Sequence, residues 1–185
     1  AEPTDDRADV LHVCIPWASG FADAVKDAVT RHHAELVVVH STVPVGTCDP
    51  HGWVHSPVRG RHPNLAPSLR TFTKHFGGHR AAEAADAWAP ISKTTVHPRA
   101  VETEAGKLWE LVQYGLQVRV CQAIHEWCMA RGLDPDVVYR QFAEEYNAGY
   151  TTLGLQRFAR PVLDYVPGPI GGHCVTQNAP FVGHP

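Results

Sequence analysis

Apolar and polar positions along the chain change their period several times, and each change marks an element. Asp9 to Ile15 is a short, mostly apolar run stopped by Pro16, which predicts a buried strand. From Phe21 to His33 the apolar residues Phe21, Val25, Ala28 and Val29 recur at helical spacing. Glu35 to His40 is a second strand, with the continuous Leu-Val-Val-Val core typical of parallel sheets. Strand, helix and strand within about thirty residues form a βαβ unit, whose crossover is right-handed. A third strand is expected at Trp53-Val54-His55 and a short edge strand at Thr94-Thr95-Val96. Between them, Ser56 to Thr71 is rich in Pro, Arg and Gly and predicts a long loop. Lys74-His75-Phe76 leads into Gly77-Gly78 without a period of its own, and Arg80 to Ala89 predicts a short helix.

From Val101 to Arg131 the apolar residues crowd onto several faces: Leu108, Trp109, Leu111, Val112, Leu116, Val118, Val120, Ala123, Ile124 and Trp127. With Gly132 where a C′ residue belongs, this predicts one long helix that packs on the sheet and on a partner chain. Asp134 and Pro135 then supply an N-cap and a first-turn proline for another helix to about Tyr146. The fold class expected is α/β, a partial Rossmann-like parallel sheet followed by a long-helix dimerisation region. The boundary is expected at His97-Pro98, giving an α/β part over 1–97 and a helical part over 98–185.

Composition narrows the function classes. The chain has 185 residues, 44% hydrophobic and 19% charged, as an ordinary globular protein does. A net charge of -3 supplies no field to draw the chain to nucleic acid or an anionic membrane. No apolar run approaches the roughly 20 residues of a membrane span, and the acidic, polar stretch from Ala1 to Asp9 lacks the pattern of a signal peptide. Five cysteines, an odd number without a C-x-x-C pair, imply reduced thiols and a cytoplasmic setting. The thirteen histidines are scattered, and most are expected at surface or helix-capping positions.

Three stretches carry candidate chemistry. Tyr165-Val166-Pro167-Gly168-Pro169-Ile170-Gly171-Gly172-His173-Cys174 fixes a tight backbone path with three glycines and two prolines. It is either a structural turn before a buried cysteine or a loop that presents a thiol to the ligand it wraps. Cys121, His125 and Cys128 fall on one face of the long helix, where they are either core residues or three zinc ligands short of a fourth; no metal is assigned. Arg59, Arg61 and Arg70 fit either a phosphate clamp or a solvated loop.

The Pro167 to Cys174 loop and Ser41-Thr42-Val43-Pro44-Val45-Gly46-Thr47 together resemble the UDP-glucose/GDP-mannose dehydrogenase family, matching its PG-x-GIGGHC and STVPPGT motifs. Ser56-Pro57, Lys74 with Gly77-Gly78, and Glu104 with Lys107 keep the family's order, so the resemblance runs from about Asp9 to Phe181. It implies the second half of a dinucleotide domain followed by a central helical dimerisation region. It also implies an NAD-dependent, two-step oxidation of a nucleotide-sugar alcohol to a carboxylate through a cysteine thiohemiacetal and thioester. On that resemblance Cys174 is the nucleophile, Lys107 stands near the oxyanion, Thr42 lies beside the water site, and Asn178 occupies the place of the family's Asp. Gly168, Gly171, Gly172, His173 and Arg59 would line the substrate, while Pro16, Thr42 and Pro44 would meet the cofactor. Lys107 also suits a solvated helix start.

The departures are specific. Val58 stands where the family has Glu, and Leu111 where it has Asn; neither side chain moves a proton or donates a hydrogen bond. No G-x-G-x-x-G occurs in the chain, so the usual pyrophosphate cradle is missing from the resemblance, as is the C-terminal nucleotide-sugar domain. The expectation is a fragment or a short relative, impaired when alone. Two rivals stand beside it: a non-catalytic dimeric protein that binds a nucleotide or sugar, and one half of a split enzyme.

Overall fold

The computed structural model describes residues 7–60, 63–170, 178 and 180. The chain divides into two units, residues 1–109 together with 180–185, and residues 110–179.

The first unit is built on a five-stranded sheet: β1 (Val10–Val13), β2 (Leu36–Val39), β3 (Val54–His55), β4 (Lys74–Gly77) and β5 (Thr94–His97), in that spatial order. β1, β2 and β3 run parallel, as do β4 and β5, and β3 meets β4 antiparallel. The α/β class with a mostly parallel sheet is therefore as the βαβ pattern predicts. Strand β4 is the addition, and it enters the sheet antiparallel to β3. The expected long loop over 56–71 contains α2 (Leu65–Thr71). Pro67 is part of the proline content that suggests a loop. It stands in the first turn, where a helix needs no N–H donor, so the proline is tolerated.

Alternation along β2 organises the packing. All four of its residues are buried. Val37 and Val39 face one apolar cluster, with Val13, Phe21 and Val25 of α1 (Phe21–His32), Val43, Trp53 and Ala100. Leu36 and Val38 face the other, with Val54, Phe76 and Ala81, Ala84 and Ala85 of α3 (Ala81–Trp88). Successive strand residues point to opposite faces, so a continuous apolar run is what a strand covered on both sides requires.

The long helix α4 spans Ala100–Met129, close to the stretch its pattern predicts. Its first turn is capped from a distance, with Asp49 accepting the N–H groups of Ala100 at 2.8 Å and Val101 at 3.3 Å. In the second unit a π-helical turn (Asp136–Gln141) opens α5 (Phe142–Thr152), which runs further than the expected end at Tyr146. Asp134 accepts the N–H of Asp136 at 2.9 Å, the capping its position predicts.

Gly77 is where β4 passes closest to α4. A Cβ there would lie 2.6 Å from the Arg99 carbonyl oxygen and 2.6 Å from Thr103 Oγ1. A carbonyl oxygen in a helix start cannot swing aside, so Gly77→Ala should lower stability by about 1–3 kcal/mol, as overpacking does. Gly106→Ala, in open space on α4, should instead raise it by about 0.5–1 kcal/mol. Urea unfolding of the two variants checks both; an unchanged midpoint for Gly77→Ala would refute the close approach.

Candidate functional site

The carboxyl ends of β1, β2 and β3 point to one edge of the sheet. Because β4 is antiparallel to β3, its first residue, Lys74, arrives at that same edge. In open α/β sheets this edge is where ligands bind.

Period-two alternation carries polar residues into the apolar rows there. Val38 is succeeded two residues on by His40, Val54 by Ser56, and Phe76 is preceded by Lys74. These side chains therefore continue the α3-side cluster in polar form. His40, Ser56 and Lys74 are all buried. Lys74 Nζ donates to the carbonyl oxygens of Ser56 at 2.7 Å and Pro57 at 3.1 Å and lies 3.1 Å from His40 Nδ1. The same His40 Nδ1 is 2.8 Å from the Ser56 carbonyl, and His40 Nε2 is 2.9 Å from Nδ1 of His12. Trp88 of α3 covers the group, its ring 5.3 Å from Lys74 Nζ. Among the described residues, Ser56 Oγ is a buried side-chain oxygen with no hydrogen-bond partner.

Burial dominates the electrostatics. It pushes the Lys74 ammonium down to about 7, with Cys14 opposing the shift and the Lys107 charge adding to it. Burial and then Lys74 take His40 down to about 3. His55 falls to about 4, again mainly through burial, with Lys74 and Lys107 contributing and its bond to Ser41 opposing. Both imidazoles are therefore neutral at pH 7, and these two are buried exceptions to the surface and capping positions expected for most histidines. Sequence alternation contained the signal, since the parity of Val38 and Val54 already places His40 and Ser56 on a buried face.

On the opposite face, His55 ties the sheet to α4. Its Nε2 lies 3.1 Å from the Ser41 carbonyl and its Nδ1 2.8 Å from Thr103 Oγ1. A neutral ring that donates from Nε2 must accept at Nδ1, so Thr103 supplies its hydroxyl proton. One residue further along α4, the fully buried Glu104 carboxylate accepts the backbone N–H groups of Gly46 at 2.6 Å and Cys48 at 2.8 Å. This fixes the loop after β2, with Thr47 Oγ closing it on the Pro44 carbonyl at 2.6 Å. Burial and the Glu104 charge push the Cys48 thiol well above its ordinary value, so it is an inert core group.

The first unit thus assembles several of the expected site residues. Thr42 and Pro44 lie in the loop that Glu104 pins, and Ser41 Oγ donates to the Ile15 carbonyl at 2.5 Å, bringing that loop beside Pro16. Lys107, half-buried one turn beyond Glu104, acts on both His55 and Lys74 through its charge. Arg59 holds its guanidinium 5.5 Å from the centre of the Phe72 ring. Val58 and Leu111 are half-buried where the resemblance has Glu and Asn.

In the second unit, Gln122 of α4 donates from Nε2 to the carbonyl oxygens of Val166 and Gly168, each at 2.8 Å. Gly168 has a φ of +89°, which the turn requires. Gly171, Gly172, His173 and Cys174 lie outside the described residues, and Asn178 is half-buried and engaged. Gln122 is not foreseeable from the sequence, because a single polar residue on a long helix has no local pattern. The Cys121 and Cys128 thiols of this unit are packed in, with Cys121 Sγ bonding the Leu163 carbonyl at 3.5 Å and Cys128 fully buried, while His125 stacks on Tyr165 with ring centres 3.6 Å apart. Among the described residues no three His, Cys, Asp or Glu side chains converge to hold a metal.

No protein-family model and no curated protein matches the chain. Its fold is similar to that of solved nucleotide-sugar dehydrogenases. The UDP-D-ManNAc dehydrogenase of Pyrococcus horikoshii aligns at 18% identity with a TM-score of 0.71, over 94% of this chain and 46% of that one. The UDP-N-acetyl-mannosamine dehydrogenase of S. aureus aligns at 15% identity and 0.70, over 95% and 48%. The NDP-N-acetyl-D-galactosaminuronic acid dehydrogenase of Methanosarcina mazei Go1 aligns at 20% identity and 0.69, over 97% and 43%. The chain spans less than half the length of each of these structures.

The buried imidazoles predict how stability depends on acid. His40 and His55 bind fewer protons folded than unfolded between their ordinary value of 6.5 and their depressed values of about 3 and about 4. Stability is therefore retained above pH 6.5 and lost as pH falls below it. By linkage each histidine should remove on the order of 2 kcal/mol by pH 5. Denaturant midpoints between pH 7 and 5 measure the loss, and His55→Gln should reduce it by about half. A flat profile would contradict the neutral, buried state of both rings.

Proposed function

We propose that the chain is a nucleotide-sugar dehydrogenase-like protein whose edge of β1, β2 and β3 receives NAD and whose glycine loop receives the sugar. The observation that carries this is the pinning of the Thr42-bearing loop by Glu104, three residues before Lys107, on a fold similar to those dehydrogenases. The residues at that edge suit a flat cofactor ring in part. Ile15, Trp17 and Val45 stay exposed as an apolar ledge beside Pro16 and Pro44, and the Ser41 bond to Ile15 holds its two loops together. NAD bound there would supply a hydride acceptor. The protein's own part is to orient Thr42 against Lys107, to set a positive field from Lys107 and Lys74, and to offer Cys174 as the thiol nucleophile.

Turnover is expected to be low. Val58 and Leu111 cannot move protons, and Asn178 is a poor base. These same substitutions favour the second reading, a non-catalytic protein that binds the ligand without converting it. No helix among the described residues is long and apolar enough to cross a membrane.

The working assembly is a homodimer built on the helix around residues 101–131. Leu116, Val120 and Phe142 remain exposed and help line an apolar groove of about 570 Å³ beside α4 and α5 within the second unit. A patch of this kind ordinarily marks an interface.

Calorimetric titration with NAD and with a panel of UDP- and GDP-sugars, then an assay for reduced cofactor, tests the function. Binding of at least one nucleotide sugar with steady turnover below about one per second is the expected result, given that loss of a general base costs on the order of 10²- to 10⁴-fold. Absence of binding by every ligand removes the reading, and faster turnover shows that other groups handle the protons. Sedimentation at micromolar concentration should give a dimer that Val120→Glu with Phe142→Glu dissociates. A wild-type monomer that stays soluble would rule the assembly out.

A further inference from the structure

Four polar groups at the sheet edge form an unbroken line from solvent to the core. His12 is exposed, His40 is buried, and Lys74 is buried beyond it. The contacts along this line are 2.9 Å between His12 Nδ1 and His40 Nε2, and 3.1 Å between His40 Nδ1 and Lys74 Nζ. The fourth group, the Ser56 carbonyl, touches both His40 Nδ1 and Lys74 Nζ.

An imidazole has two nitrogens and, when neutral, one proton, so each ring in the line donates at one end and accepts at the other. With Lys74 as an ammonium, its third N–H faces the lone pair of His40 Nδ1. His40 then donates from Nε2 to His12 Nδ1, and His12 carries its proton on Nε2 at the surface. With Lys74 as an amine, His40 Nδ1 carries the proton and donates to the Ser56 carbonyl at 2.8 Å. His40 Nε2 now accepts from His12 Nδ1. Both arrangements satisfy the inner ring, and they differ by one proton in total.

We propose that His12 and His40 form a proton-exchange chain through which the buried Lys74 amine takes up and releases its proton to water. In the release direction the ammonium proton passes to His40 Nδ1, the His40 Nε2 proton passes to His12 Nδ1, and the His12 Nε2 proton leaves to solvent. The sum is one ammonium converted to one amine and one proton in water. Both rings are neutral before and after, with their tautomers exchanged. Lys74 is thereby an internal proton store at the carboxyl edge of β1, β2 and β3, a role that does not depend on the dehydrogenase reading.

The surroundings favour a mobile proton. From β1 the amine is faced by His12, with Cys14 just beyond; from β2 by His40; and from β3 by the Ser56 and Pro57 carbonyls, with His55 nearby. From α3 it is faced by Trp88, and from α4 by the charge of Lys107. Burial brings Lys74 to about 7, so both states of the line are populated near neutrality. Burial and Lys74 also lower His12, which keeps the outer ring neutral enough to relay.

Nuclear magnetic resonance of the full chain labelled in lysine and histidine tests the chain directly. In the unmodified protein, the His40 ring should change from the Nε2-protonated to the Nδ1-protonated tautomer in step with deprotonation of Lys74 as pH rises. His12→Leu should slow hydrogen exchange at Lys74 Nζ by about tenfold or more, as for exchange that must wait for local opening. Added imidazole should restore part of the rate. A single His40 tautomer throughout the Lys74 titration would overturn the proposal. So would an exchange rate unchanged in His12→Leu, since Lys74 would then reach water by another route.

Discussion

Everything at the candidate site depends on the burial of β2 on both faces. A strand covered by helices on each side leaves no solvent for the polar residues at its carboxyl end, so these must find partners inside the protein. His40 finds His12 and the Ser56 carbonyl, and Ser41 finds Ile15 and His55. The loop beyond finds the Glu104 carboxylate. The site is in this sense the polar continuation of the core. Its charges are shifted because the same helices that exclude water from Val38 exclude it from His40 and Lys74.

Two carboxylates translate that burial into position. Asp49 of the loop holds the first N–H groups of α4, and Glu104 of α4 holds N–H groups of the loop. Each acid satisfies donors that the other element leaves open, and both work as charge-assisted bonds, roughly twice as strong as neutral ones. The pairing ties the loop after β2 to the start of α4 through main-chain hydrogen bonds in both directions. It gives Glu104 a structural weight that its place one turn before Lys107 did not announce.

Much of this was legible in the residues. The Leu36 to Val39 run, the spacing of Phe21 and Val25, and the crowded apolar faces after Val101 gave the α/β order, because burial writes its period directly into the chain. The motif around Thr42 pointed to the same edge of the sheet at which His40 and Lys74 are buried. Strand β4 was not legible, since Lys74 and Gly77 read as polar and flexible until the antiparallel register makes one a buried donor and the other a close contact. Pro67 concealed α2 for a similar reason, because its meaning depends on which turn of a helix it occupies. Glu104, Gln122 and the His12–His40 contact were hidden more deeply. Each acts on a partner 28 or more residues away, and no local window contains both ends.

That distance bears on the order in which the protein comes into being. Gly46 and Glu104 are separated by 58 residues. At ordinary synthesis rates that interval lasts roughly 3 to 12 s. During it the nascent loop after β2 has no acid to receive its N–H groups, and the strands before it have no α4 against which to close. The edge that carries Thr42 is therefore shaped late, when the start of the long helix leaves the ribosome, and a pause or truncation upstream of Glu104 leaves the sheet without its brace.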